Sequence, residues 1–127
     1  MAAVKRPTEE VILEELFVKD KALVGVQNLA KMLGTDSHSI VTALKLDDKV
    51  EELDPSNKAV KKWMKIFNLI LEMIKQADSE ITKDAASLRL KKWLHVPQIQ
   101  LGNETPLDFM LKGKTRQLTS YLEQLVL

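Results

Sequence analysis

The stretch Leu101-Gly102-Asn103-Glu104-Thr105-Pro106-Leu107-Asp108-Phe109-Met110 decides how this chain is read. Thr105 has the side-chain oxygen that caps a helix N-terminus, and Pro106 fills the first helical position, where a missing N–H costs nothing. Asp108 falls three residues after the cap, so its carboxylate meets unpaired N–H groups and the positive end of the helix dipole. A helix therefore starts at Thr105. Gly113 interrupts it, and helix resumes from about Thr115 to the C-terminus with Leu118, Leu122 and Leu125 spaced along one stripe. Upstream, Pro97 disfavours helical geometry at Val96, so the helix carrying Trp93-Leu94 stops there and residues 97–104 form a loop.

Helical spacing continues towards the N-terminus. Thr8 caps a first helix through Val11, Ile12, Glu14, Glu15 and Leu16, and a second runs from about Val24 to Leu33 and ends at Gly34. Thr35 and Asp36 start a third, through Ser39, Ile40, Val41 and Leu44 to about Leu46. A charged connection with Asp47-Asp48-Lys49 and Glu51-Glu52 follows. Asp54-Pro55 then predicts the longest helix, about Pro55 to Gln76, with Val60, Trp63, Met64, Phe67, Leu71 and Ile74 on its apolar side. Asp78 or Ser79 caps the helix that reaches Leu94. No alternating strand pattern stands out, so the expected fold is all-α: a helical region over 1–53 and a helical domain over 54–127.

Composition narrows the function. Across 127 residues, 19 basic side chains against 18 acidic ones leave a net charge of +1, so nucleic-acid contacts must be local. With no cysteine there is neither a disulfide framework nor a thiolate site. Met1 to Arg6 is followed by Pro7-Thr8-Glu9-Glu10 where a secretory signal needs an apolar run, and no stretch approaches the roughly 20 apolar residues of a membrane span. A cytoplasmic protein without a membrane partner is expected. His38 and His95 stand far apart, and no nucleophile motif or glycine-rich phosphate loop occurs, so no enzyme activity, metal or cofactor is expected.

Two features bear on binding. Ala30, Gly34 and Ile40 have the spacing of a helix-turn-helix, in which a small residue allows close approach, glycine makes the turn and an aliphatic residue docks the second helix. Ser37, His38, Ser39, Thr42 and Lys45 would then face a DNA groove, without any arginine for guanine; the alternative is an ordinary helical hairpin. Lys58, Lys61, Lys62 and Lys65 share one side of the long helix, as phosphate contacts or as its solvated face.

The succession Trp93-Leu94, a loop, Leu101-Gly102, Thr105-Pro106-Leu107-Asp108, Gly113 and Leu118, Leu122, Leu125 resembles the Xre/MbcA/ParS toxin-binding domain of bacterial antitoxins, over roughly residues 60–127. The resemblance implies an antitoxin that binds a toxin of the RES type, which consumes NAD, and blocks it by steric occlusion, with repression of its own operon as an accompanying role. It makes Trp93, Leu94, Gly102, Thr105, Pro106, Leu107, Asp108 and Gly113 framework residues. The toxin contact falls to the exposed members of Lys112, Lys114, Thr115, Arg116, Ser120 and Tyr121. Arg116 and Tyr121 lead, because Arg and Tyr are enriched among residues that carry interface energy. Related antitoxins carry arginines just after the recognition helix, where this chain has Leu44-Lys45-Leu46-Asp47-Asp48. Apolar residues at Leu125, Val126 and Leu127 point to a homodimer or higher assembly. The competing expectations are a stand-alone DNA-binding regulator and a protein-interaction module without DNA binding.

Overall fold

The computed structural model describes residues 16–18 and 23–126; the helix expected after Thr8 lies outside the described residues. In chain order these residues form β1 (Val24–Gly25), α1 (Val26–Leu33), α2 (Ser37–Ala43), β2 (Glu52–Leu53), α3 (Lys58–Ala77), α4 (Lys83–Trp93), a 3-10 turn (Ile99–Leu101), α5 (Pro106–Leu111) and α6 (Thr115–Leu125). The chain is mostly helical, as expected.

The all-α expectation needs one correction. Val24 pairs with Leu53 and Gly25 with Glu52 in a small antiparallel ladder, extended by a bond of 2.9 Å from the Val26 N–H to the Glu51 carbonyl. Two-residue strands are too short to display alternation, yet Val24 and Leu53 both bury their side chains. The ladder starts α1 at Val26 instead of Val24. It also ties the beginning of the α1–α2 hairpin to the segment just before α3.

Gly34 ends α1 in the left-handed region at φ 66°, and the Thr35 N–H reaches back 2.9 Å to the Ala30 carbonyl. Asp36 then caps α2, accepting from the Ser39 N–H at 2.7 Å. A Cβ on Gly34 would lie 2.8 Å from His95 Nε2, so the residue just past α4 reaches this exposed turn.

Two further helix starts fall later than expected. Asp54 caps only a turn, accepting from the Ser56 N–H at 2.8 Å and the Ser56 hydroxyl at 2.7 Å, and Asn57 caps α3 through the N–H groups of Ala59 and Val60. Likewise Asp78 closes a turn with Glu80 and Ile81, and Thr82 caps α4 by accepting from the Ala85 N–H. Each segment holds several capping residues in succession, and packing chooses among them.

Helix α3 organises the core. Its buried residues are Val60, Trp63, Ile66, Phe67, Ile70, Leu71 and Ile74, a broader stripe than the sequence suggested, with Met64 only partly covered. α4 and α6 pack on it, α5 packs on α6, and α2 reaches α5. One buried cluster runs from Leu16 to Leu122.

Replacing Gly34 with alanine forces an L side chain into left-handed backbone and should lower unfolding free energy by about 1–2 kcal/mol. Urea denaturation reads this. Adding His95→Ala should restore little, because the ring is exposed and can swing aside, leaving the backbone strain as the cost.

Candidate functional site

The segment from Trp93 to Tyr121 is held by local chemistry at nearly every step. Leu94 is fully buried at the end of α4, and its carbonyl accepts the Leu107 N–H at 3.1 Å, fastening the first turn of α5 to the last turn of α4. Between them the loop closes on itself: the Gln98 N–H donates to the Glu104 carbonyl at 3.0 Å, and the Asn103 N–H to the Gln98 carbonyl at 2.9 Å. Closure needs two successive left-handed residues, Gly102 at φ 69° and Asn103 at φ 67°. Glycine adopts this freely, and asparagine tolerates it through its short polar side chain.

The helix start read from the sequence is present. Thr105 Oγ1 accepts the Asp108 N–H at 3.1 Å while Asp108 Oδ2 accepts the Thr105 N–H at 3.2 Å, with Pro106 buried at the first helical position. The Glu104 carboxylate pairs with the Lys112 ammonium, and this bond raises the Lys112 pKa above 10.5. α5 stops at Lys112, and Gly113 follows at φ 76°. The Lys114 ammonium lies 5.2 Å from the centroid of the Phe109 ring.

α6 then presents its outer face. Arg116 and Ser120 are exposed, and the half-buried Tyr121 donates its hydroxyl to Gln98 Oε1 at 3.0 Å, locking the ring to the loop across 23 residues of sequence. Arg116, Ser120 and Tyr121 line an open groove of about 540 Å³ together with Gln100, Leu101, Phe109, Gln117 and Gln124. Its floor is apolar, from the buried Leu101 and Phe109, and its rim carries amides. Arg116 is the one charged side chain among the described lining residues. In the same 3-10 turn, Ile99 stands 84% exposed.

Three of the expected contact residues thus come together, and three do not. Lys112 and Lys114 lie outside the groove lining, engaged with Glu104 and the Phe109 ring. Thr115 starts α6 and is buried at 9% exposure, so it is not one of the exposed members of the set. Sequence reading missed Gln98, Ile99, Gln100, Gln117 and Gln124. Gln117 and Gln124 share a helical face with Ser120 and Tyr121, a signal that was available. The loop residues reach the groove only through tertiary folding.

The α2 face has a different character. His38 Nδ1 lies 3.0 Å from Asp48 Oδ1, Ser37 is half-buried, and the Ser39 N–H belongs to the Asp36 cap. Thr42 and Lys45 are exposed, Lys45 with φ 59°. Exposed Asp36, Asp47 and Asp48 stand in the same stretch as exposed Lys45 and Lys49, three carboxylates to two lysines. Next to this face, Asp48, Glu51 and Glu52 line a second groove with Lys49 and the start of α1.

Among the described residues no helix is long and apolar enough to cross a membrane. Comparison of the chain with protein-family models, characterised proteins and solved structures gave no match.

Asp36 supplies a pH prediction. The Ser39 backbone N–H, then the Ser39 hydroxyl, hold its carboxyl below the ordinary value of 3.8. A depressed pKa means the cap stabilises fully above 3.8 and fades as pH falls through the lower folded value. The Ser39 amide shift, followed by NMR titration, should therefore inflect below 3.8, and Asp36→Asn should remove the inflection while keeping the cap. An inflection at or above 3.8 would contradict the assignment.

Proposed function

We propose that this chain is an antitoxin of the type II class, docking its C-terminal surface onto a RES-type, NAD-consuming toxin and stopping it by steric occlusion. The resemblance to the Xre/MbcA/ParS toxin-binding domain supplies the partner. The observation that carries the reading is that Arg116, Ser120 and Tyr121 line one groove beside a projecting isoleucine, on a loop whose hydrogen bonds are already made.

The physical case rests on preorganisation. Association costs the ordering of loops and side chains, and here the Gln98–Tyr121 bond, the capping box and the left-handed Gly102–Asn103 pair have met that cost within the free protein. Full burial of a side chain like Ile99 is worth about 1.5–3 kcal/mol. Arg116, with no acidic neighbour lining the groove, suits a carboxylate on the toxin. No reaction is assigned to this chain; inhibition follows from covering another protein's active site.

Operon repression through the α1–α2 hairpin would accompany this role, with Ser37, His38, Ser39, Thr42 and Lys45 facing DNA. The buried Ala30 and Ile40 about the Gly34 turn support that geometry. The carboxylates of Asp36, Asp47 and Asp48 oppose it, because they repel phosphate. They favour a second reading in which the chain is a protein-interaction module without sequence-specific DNA recognition. Of the C-terminal apolar residues that a second copy would cover, Leu125 is 37% exposed and Val126 half-buried.

The test is co-expression with the product of the adjacent gene. The intact chain should restore growth of cells making that toxin. Replacing Arg116 and Tyr121 together with alanine should abolish the rescue while leaving a cooperative thermal transition. Full rescue by the double variant would reject this groove as the contact.

A further inference from the structure

In the first two turns of α3, residues 58–65, every exposed position is a lysine: Lys58, Lys61, Lys62 and Lys65. The positions between them turn inward, with Val60 and Trp63 buried and Ala59 and Met64 partly covered. Beyond Lys65 the pattern stops, and Glu72 is the sole carboxylate of the helix. None of the four ammonium groups has an ion-pair partner among the described residues.

This arrangement opposes two local rules. Cations are disfavoured at the positive N-terminal end of a helix, and like charges three and four residues apart repel each other. The first turn of α3 has no carboxylate to offset either effect, and Asn57 caps it with a neutral amide. A solvated face needs charge, but neither a single sign nor this end of the helix. A departure from local consistency that no ion pair offsets marks a place where function is to be sought.

We propose that the N-terminal half of α3 is a polyanion-contacting surface that lies along the phosphate backbone of duplex nucleic acid, and that this half, not α2, makes the chain's sequence-independent contact with it. Seven residues of helical rise give the row a length of about 10 Å, the axial span of about three phosphates on one strand. Lysines act on phosphate as point charges and carry no base code, so the contact is independent of sequence. The row has no exposed apolar or aromatic side chain within it, which a bilayer surface would reward with insertion. The helix dipole adds to the lysines at the same end. Around α2, by contrast, exposed Asp36, Asp47 and Asp48 are interspersed with Lys45 and Lys49, so no row of one sign forms there. The inference does not rest on toxin docking.

The test is fluorescence anisotropy of the full chain with a short labelled duplex of arbitrary sequence, across a range of salt. Four phosphate contacts predict that log K falls against log salt with a slope of about −3.6, roughly a hundredfold loss between 50 and 200 mM. Replacing all four lysines with glutamine should cost at least roughly tenfold in affinity and flatten the slope, while the four arginine replacements should keep both. If the glutamine variant loses its thermal transition, single Lys61→Gln and Lys65→Gln changes should each still weaken binding and lower the slope by about one. Thr42→Ala with Lys45→Gln should leave binding intact, and so should the Arg116 and Tyr121 double variant, which keeps this result separate from any failure of toxin docking. The proposal is overturned if the intact chain has no salt-dependent affinity, if the glutamine variants bind as it does, if the α2 variant alone abolishes binding, or if only phosphatidylserine vesicles bind.

Discussion

Burial of the α3 stripe is the constraint on which the other elements depend. Trp63, Phe67, Ile70, Leu71 and Ile74 must be covered, and α4 and α6 are the helices that cover them. Once those two are seated on α3, the end of one and the start of the other are fixed, and the chain between them is obliged to span that gap. Its route is short, so it is held by backbone bonds to itself and by the Leu107–Leu94 link. The groove and the projecting Ile99 are consequences of that closure. Their precision comes from the core, and their chemistry comes from the loop.

Charge is distributed unevenly despite a net value of only +1. Carboxylates gather around α2 and the segment before β2, lysines occupy the exposed positions at the start of α3, and the groove on α6 carries Arg116 alone. Interactions between exposed charges fade over about 8–10 Å at ordinary ionic strength, so each surface presents its own field to a partner.

The sequence was most legible where one residue's local chemistry settles the backbone. Thr105, Pro106 and Asp108 specify a helix start through contacts within three residues, and Gly34 specifies a helix end by being able to adopt positive φ, so both were readable without a fold. Legibility failed where several candidates stood in a row. Asp54, Ser56 and Asn57 can all cap, and the register that buries Val60 and Trp63 selects Asn57. The β1–β2 ladder left no periodic trace because each strand has two residues. Half of the groove was visible, since Arg116, Ser120 and Tyr121 follow one helical face. The other half was hidden, because Gln100 and Leu101 line it, and Gln98 reaches Tyr121, only after the loop folds back.

The central claim is that the loop and α6 together form the surface on which a protein partner docks. Amide hydrogen exchange of the chain, free and in complex with the adjacent gene's product, tests it most directly. The account predicts added protection in residues 98–104 and 116–124, with α1 and α2 unchanged. Protection confined to residues 26–43, with the loop and α6 exchanging as in the free protein, would contradict it.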